Sequence, residues 1–281
     1  VGADQWVFNS AVSACEKAEQ WQKALYLTTV LHFYGLTQNP FCFNAAISSC
    51  ASGVRWARAI ATMQSLLNQC VQPDVITYNG LITVLGNAAK WEHALTCFWD
   101  MQGLRIAPTA ITVTATISAC EKHTLWQEAH YVFNRMSSDN VSPNKFSYGA
   151  LASVYKSGRK WAQALHCLAE ACNCRMQLDP ILFNAVAAAC CGSFQWQFAL
   201  AATELARSVP HETSLREEKS TTRLKVPPAL VTYGTALAAC QKGLKWLQTI
   251  ALLQHMQEDG VDWTEHTCST ALMTCSQQWR H

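Results

Sequence analysis

Tryptophan recurs in this chain at a fixed stride. Trp21, Trp56, Trp91, Trp126, Trp161 and Trp196 each stand 35 residues after the one before, and Trp246 follows 50 residues later, one period plus a 15-residue insertion. Six of these seven have Ala three residues on (Ala24, Ala59, Ala94, Ala129, Ala164, Ala199), with Thr249 the exception. Cys15, Cys50, Cys120, Cys190, Cys240 and Cys275 stand six residues upstream of the same phase. Chance does not hold such a register over so many periods. Repetition at this length means a solenoid or a propeller, and the character of the unit decides which.

The unit reads as two helices. Tyr78, Ile82 and Leu85 are spaced as one face of a first helix, and Trp91, Ala94, Leu95, Phe98 and Met101 mark the face of a second. Gly86 and Asn87 are expected to break the first helix, Gly103 to cap the second, and Pro108 to block helical continuation. Strand periodicity is absent. A lone helical hairpin leaves apolar surface bare, so copies must stack to bury it. The recurrent Trp, Ala and Cys are assigned to packing, because a large residue at an apolar helical phase is core by default.

Composition narrows the function. The chain is 50% hydrophobic and 14% charged, which excludes intrinsic disorder. No apolar run reaches the roughly 18 residues of a membrane helix, so no membrane role is expected. The net charge of +2 is too small to indicate nucleic acid by itself. The 14 cysteines sit mostly among helix formers in a long chain and are read as reduced. Cys172, Cys174 and the pair Cys190–Cys191 lack the second element that a zinc site needs, so no metal or cofactor is expected. No nucleophile with its base is discernible, so the chain is not read as an enzyme. Residues 207–225, polar and without sustained periodicity, read as a surface loop inserted between repeats.

The residues of the unit resemble a known family. Val75-Ile76-Thr77-Tyr78-Asn79-Gly80-Leu81-Ile82 opening one helix, Trp91-Glu92-His93-Ala94-Leu95 opening the next, and the Met101 to Pro108 ending are similar to the pentatricopeptide repeat. Val231-Thr232-Tyr233-Gly234, Phe43-Asn44-Ala45, Pro73-Asp74 and Pro143-Asn144 support it. The tetratricopeptide repeat differs, with a period of about 34 and its Trp early in the first helix. The resemblance covers essentially the whole chain. It implies an all-α, right-handed superhelical solenoid, divided into units 5–39, 40–74, 75–109, 110–144, 145–179, 180–229, 230–264 and a partial 265–281. This count leads to the expectation that the array continues past both ends.

The resemblance further implies binding of single-stranded RNA, one base per repeat. Two positions would do the reading: the fifth residue of each unit and its last. These pair Asn9 with Asn39, Asn44 with Asp74, Asn79 with Thr109, and Thr114 with Asn144. The remaining pairs are Gly149 with Asp179, Asn184 with Ala229, and Gly234 with Thr264. An ionised Asp only accepts hydrogen bonds and suits uracil N3–H, whereas Asn can donate and suits cytosine N3. In this family Asn as first reader goes with pyrimidines and Thr with purines. The first four units would then prefer cytosine, uracil, either pyrimidine, and adenine, while Gly149, Gly234 and Ala229 weaken reading later. The second residue of each unit would pack against bases: Trp6, Phe41, Ile76, Ile111, Phe146, Ile181, Val231 and His266. Lys17, Lys122 and Lys242, recurring eight residues after a first reader, are candidates for phosphate contact.

Two alternatives stay open at this level. Asp74, Asn144 and Asp179 could serve only as helix N-caps. The whole array could be a protein-interaction scaffold, a reading that the near-neutral charge favours. Against these, Asn9, Asn44, Asn79 and Asn184 fall inside helices, where Asn has poor propensity. By resemblance the protein is a monomer of chloroplast or mitochondrion that meets RNA and other RNA-processing proteins. If it reads RNA, Asn9, Asn44, Asn79 and Thr114 must line one accessible face and not lie sealed in the core.

Overall fold

A computed structural model describes residues 5–18, 20–33, 40–51, 55–69, 71–139, 141–174, 176, 180–208 and 230–278. Among these, every regular element is a helix and none is a strand. The chain divides into two compact units, 1–143 and 144–281. The first holds four hairpins: α1 (Gln5–Lys17) with α2 (Trp21–Phe33), α3 (Pro40–Ser49) with α4 (Trp56–Asn68), α5 (Val75–Asn87) with α6 (Trp91–Gly103), and α7 (Ala110–Glu121) with α8 (Trp126–Ser138). The second holds α9 (Lys145–Ser157) with α10 (Trp161–Asn173), α11 (Pro180–Gly192) with α12 (Trp196–Ser208), α13 (Leu230–Lys242) with α14 (Trp246–Glu258), and the single helix α15 (Glu265–Gln278). Each described second helix opens on the Trp of the repeat.

Local chemistry explains these bounds. Asp74, Thr109 and Asn144 cap α5, α7 and α9, each accepting from the backbone N–H three residues on, at Thr77, Thr112 and Ser147. In α5 and α7 the threonine hydroxyl at that third position accepts in return from the capping residue's N–H, closing a capping box. First helices end by a left-handed residue that turns the chain into the Trp helix: Ala89, Thr124, Arg159, Phe194 and Leu244 all have φ between 54° and 60°. The following N–H then reaches back five residues, as in Lys90 N–H to Leu85 O at 2.8 Å and Lys160 N–H to Tyr155 O at 2.9 Å.

Two glycines therefore act differently from the sequence expectation. Gly86 does not break α5 but lies inside it, where an added Cβ would stand 3.2 Å from Ala119 Cβ on α7. It permits close approach of two first helices. Gly103 is the last residue of α6, and the left-handed position falls two residues later, on Arg105.

Within each unit, first helices stack on first helices: α1 on α3, α3 on α5 and α5 on α7, then α9 on α11, α11 on α13 and α13 on α15. Second helices pack against their own partner and the next first helix. The core so formed is made of small and aliphatic residues, including Ala59, Ala94, Ala129, Ala164 and Ala199, Cys50, Cys120, Cys190 and Cys240, all fully buried. Burial pushes the Cys120 thiol up to about 12, with Glu128 adding to it, and Cys190 and Cys240 up to about 11. Such thiols stay protonated and inert, as packing residues should.

The tryptophans are not in that core. Trp21, Trp56, Trp91, Trp126, Trp161 and Trp196 are half-buried and Trp246 is exposed. Residues of the following repeat lie against Trp21, Trp56, Trp91, Trp161 and Trp196. The Arg55 guanidinium lies 4.2 Å over Trp21, Lys90 Nζ 5.1 Å over Trp56 and Lys245 Nζ 5.2 Å over Trp196. Each such contact contributes roughly 0.5–1 kcal/mol at an exposed site. The Trp phase thus fastens repeat to repeat at the surface, while the Ala three residues on makes the dry contact.

The insertion begins later than the sequence indicates. Arg207 and Ser208 belong to α12, and the rest of the stretch lies outside the described residues. Arg207 grips Asp259 with two bonds, Nε to Oδ2 at 2.8 Å and Nη2 to Oδ1 at 3.0 Å. Tyr233 donates its hydroxyl to the same carboxylate. Gln102 and Asp139 occupy the equivalent places in the first unit, bonded at 2.9 Å.

Thr124 is β-branched and holds φ at 56°, a conformation that is strained for such a residue. Thr124→Gly is expected to stabilise the chain by about 0.5–1 kcal/mol, relief of the left-handed strain outweighing the added freedom of the unfolded glycine. A rise in Tm by calorimetry checks it.

Candidate nucleic-acid interface

The fifth residue of each first helix sits one turn beyond the helix start. Asn9, Asn44, Asn79, Thr114 and Asn184 are all half-buried there, neither sealed in the core nor fully in solvent. What holds them is the third residue of the next first helix. Thr77 Oγ1 donates to Asn44 Oδ1 at 2.6 Å, Thr112 Oγ1 to Asn79 Oδ1 at 2.6 Å, and Cys42 Sγ to Asn9 Oδ1 at 2.8 Å. Thr232 donates to Asn184 Oδ1 in the same way, across 48 residues where the others span 33. The insertion leaves this clasp intact. Thr114 differs: its hydroxyl donates back to the Ala110 carbonyl at 2.7 Å. Gly149 is buried and Gly234 half-buried, and a Cβ on Gly234 would meet nothing within 4 Å.

The last residue of the repeat is the cap of the following helix. Asp74, Thr109, Asn144 and Thr264 are described, whereas Asn39, Asp179 and Ala229 lie outside the described residues. Asp74 Oδ1 accepts from Thr77 N at 2.8 Å, and the Asn44 amide donates to both carboxylate oxygens, at 3.2 and 3.4 Å. A carboxylate only accepts, so the amide nitrogen of Asn44 faces it and the oxygen is left for Thr77. Burial alone would raise the Asp74 carboxyl; the bonds from the Thr77 backbone, Asn44 and the Ile76 backbone outweigh it and hold it below the ordinary range. In this repeat the two reader positions touch each other directly. Capping and reading are therefore not exclusive: one Oδ1 serves the helix start while Oδ2 and the amide edge lie alongside.

In α1, α3, α5, α7, α9, α11 and α13 the second residues are the most exposed large apolar side chains of their own helices. They range from 47% exposed at Phe41 to 76% at Trp6, with Ile76, Ile111, Phe146, Ile181 and Val231 between, and His266 is exposed as well. Positions two and five share a helix face, being three residues apart. In the first two repeats this arrangement forms an open cavity of about 550 Å³ lined by Trp6, Asn9, Ser10, Ser13, Lys17 and Phe41. Two side chains from the stacking set, one reader and one lysine thus meet around one space. Lys122 and Lys242 are placed otherwise. Lys122 Nζ donates to Asn87 O at 2.8 Å and Lys242 Nζ to Cys191 O at 3.4 Å, each at the C-terminal end of the preceding first helix. A cation there complements the helix dipole. Neither this role of the lysines nor that of the third-position hydroxyl has a signal in the repeat pattern of the sequence.

Among the described residues, no three His, Cys, Asp or Glu side chains gather as metal ligands, and no helix is long and apolar enough to cross a membrane.

Comparison with known proteins adds the following. Residues 73–122 match the family model described as the PPR repeat family, and residues 111–141 match the PPR repeat. The crystal structure of the pentatricopeptide repeat protein PPR10 from maize aligns over 96% of this chain with a TM-score of 0.68 at 21% identity. This chain spans 36% of the length of that protein. The PPR domain of Arabidopsis thaliana protein-only RNase P 1, solved in complex with tRNA, aligns over 60% of this chain and 90% of its own, with a TM-score of 0.53 at 16% identity. Nuclear proteinaceous RNase P 2 from A. thaliana aligns over 58% of this chain and 37% of its own, with a TM-score of 0.51 at 10% identity. At such identities the likeness is one of fold. No curated protein sequence matches the chain.

The Asp74 carboxyl, lowered in the folded chain, contributes stability that is present above the ordinary carboxyl range and lost as pH falls through the lower folded value. Asp74→Asn keeps a cap but not the titration. Thermal melts of both proteins from pH 6 to pH 2.5 should show wild-type Tm falling more steeply than the variant's below about pH 4. Parallel curves would show that the carboxylate is not held in this way.

Proposed function

We propose that this chain is an array of pentatricopeptide repeats that binds single-stranded RNA, one base to a repeat. The cavity of Trp6, Asn9, Lys17 and Phe41 is the observation that carries this reading. It has the parts that a nucleotide requires: two flat apolar side chains to sandwich a base, an amide at its edge and an ammonium for a phosphate. Stacking of a base on an aromatic ring is worth roughly 1–3 kcal/mol and tolerates any sequence. Selectivity is then left to the fifth and last residues. Asn9, Asn44 and Asn79 favour pyrimidines, Asp74 selects uracil in the second place, and Thr114 with Asn144 favours adenine. Asn184 would read a sixth base, with Asn39, Thr109, Asp179 and Thr264 as the second readers of their repeats. Gly149 and Gly234 offer no side chain to a base, so their repeats bind by stacking alone. Lys17 meets phosphate; Lys122 and Lys242 each keep two further N–H donors after bonding a carbonyl and can do the same.

In this reading the protein acts by occupancy in a chloroplast or mitochondrion. It holds a transcript extended and withdraws it from nucleases or self-pairing, without chemistry of its own. The second reading, a protein-interaction scaffold, is favoured by the net charge of +2 and by a groove between α6 and α8 lined by Leu95, Trp99, Tyr131 and Val132.

Gel shifts with short RNAs separate the two. An RNA reading pyrimidine-uracil-pyrimidine-adenine should bind about tenfold more tightly than one with a purine in each of the first three places, from the charge-assisted bonds involved. Asp74→Asn should move the second preference from uracil towards cytosine. Equal binding of all sequences before and after the substitution would remove base reading.

A further inference from the structure

A reading amide has an ambiguity that its position alone does not resolve. Asn presents C=O on one side and NH₂ on the other, and rotation about its last bond exchanges them. An amide free to rotate would offer a base either a donor or an acceptor, and would discriminate poorly. In this chain the rotation is stopped by the next repeat, and at Asn44 by Asp74 of its own repeat as well. Asn9, Asn44, Asn79 and Asn184 each have Oδ1 engaged by the third residue of the next first helix: Cys42, Thr77, Thr112 and Thr232. With the oxygen so engaged, the NH₂ is left to face the base, and in Asn44, where one of its two hydrogens goes to Asp74, the second remains; a pyrimidine O2 is an acceptor in both cytosine and uracil.

We infer that the third residue of each repeat is a positioning residue for base recognition: its hydroxyl or thiol fixes the amide of the preceding repeat so that only N–H donors face the RNA. The inference rests on the proposed base reading and deepens it.

Three observations support a dedicated clasp over incidental packing. The contact recurs at the same two positions in both units of the chain. It survives the insertion, where Asn184 and Thr232 are 48 residues apart. It also disappears where its acceptor is missing: Thr267, whose counterpart in the preceding repeat is Gly234, donates instead to the Thr264 carbonyl at 2.8 Å. The third residues Thr77, Thr112, Thr232 and Thr267 are almost fully buried, so none of them touches a base itself. Selectivity for a base is then held partly by the neighbouring repeat, and adjacent repeats are not independent readers.

The first clasp is chemically the weakest. Cys42 offers a thiol where the others offer a hydroxyl, and S–H is a poor donor. Burial raises this thiol, so it stays protonated and able to donate. Asn9 should therefore be the least firmly oriented of the four amides.

The test uses the full chain and RNAs that differ only at the base met by one repeat. Thr112→Val removes the hydroxyl that orients Asn79 and keeps the side-chain shape; Thr112→Ser keeps the hydroxyl. The inference expects the pyrimidine-over-purine ratio at the third base to fall about fivefold in Thr112→Val, the size of one neutral hydrogen bond, and to return in Thr112→Ser. Ratios at the other bases should not move. Cys42→Thr, which gives the first clasp the hydroxyl of the others, should raise the ratio at the first base. A uniform loss of affinity in Thr112→Val, with the third-base ratio unchanged and Cys42→Thr without effect, would make the third residue merely structural and overturn the inference. A wild-type chain that binds all the RNAs alike would instead remove the base reading itself, and the clasp's role with it.

Discussion

One hydroxyl, at the third residue of a first helix, ties together most of what is distinctive here. In Thr77 and Thr112 it closes the capping box that starts its own helix, and it also holds the asparagine of the helix before. A cap is worth about 1 kcal/mol wherever it occurs. By bonding to the preceding repeat, the same group also fixes the register between two stacked helices. Stacking brings Ala and Cys into dry contact, but such small residues pack in more than one register, and a directional bond is needed to choose one. That bond ends on the amide proposed to meet a base.

This coupling explains why the chain tolerates its insertion. Arg207 and Asp259 pin the end of α12 to the end of α14, and Thr232 takes hold of Asn184 as if no residues intervened. Repeat proteins draw their stability from interfaces between neighbours. A long connection that leaves those interfaces in place costs little, since loop-closure entropy grows only slowly with length. The near-neutral charge has a consequence of its own. With +2 overall, the proposed affinity for RNA would come more from stacking on the exposed second residues than from counterion release.

Much of this was legible in the sequence. The Trp phase marks where every described second helix begins, and the Val-Ile-Thr-Tyr-Asn run marks a first helix start, because Asp74 before it is a cap. The second and fifth residues could be placed on one accessible face by helical spacing alone. Other features were not legible, for physical reasons. A bond between residues 33 apart, such as Thr77 to Asn44, depends on how two helices stack, which no local pattern encodes. Gly86 reads as a breaker, but it is a point of close approach that only the position of Ala119 reveals. The surface role of the tryptophans left a trace that was available: Arg55, Lys90, Lys160 and Lys245 each stand immediately before a Trp. Arg55, Lys90 and Lys245 cover the Trp of the repeat before, and periodicity of charge would have been the signal to follow.

The most direct measurement is selection of RNA from a randomised pool by the purified chain, followed by sequencing of what is retained. Reading by repeat predicts a selected motif with pyrimidines in three successive places, uracil dominant in the second, then adenine, and little constraint where Gly149 and Gly234 stand. A retained pool with the same base frequencies as the input, or one whose constrained places do not follow the order of Asn9, Asn44, Asn79 and Thr114, would contradict it.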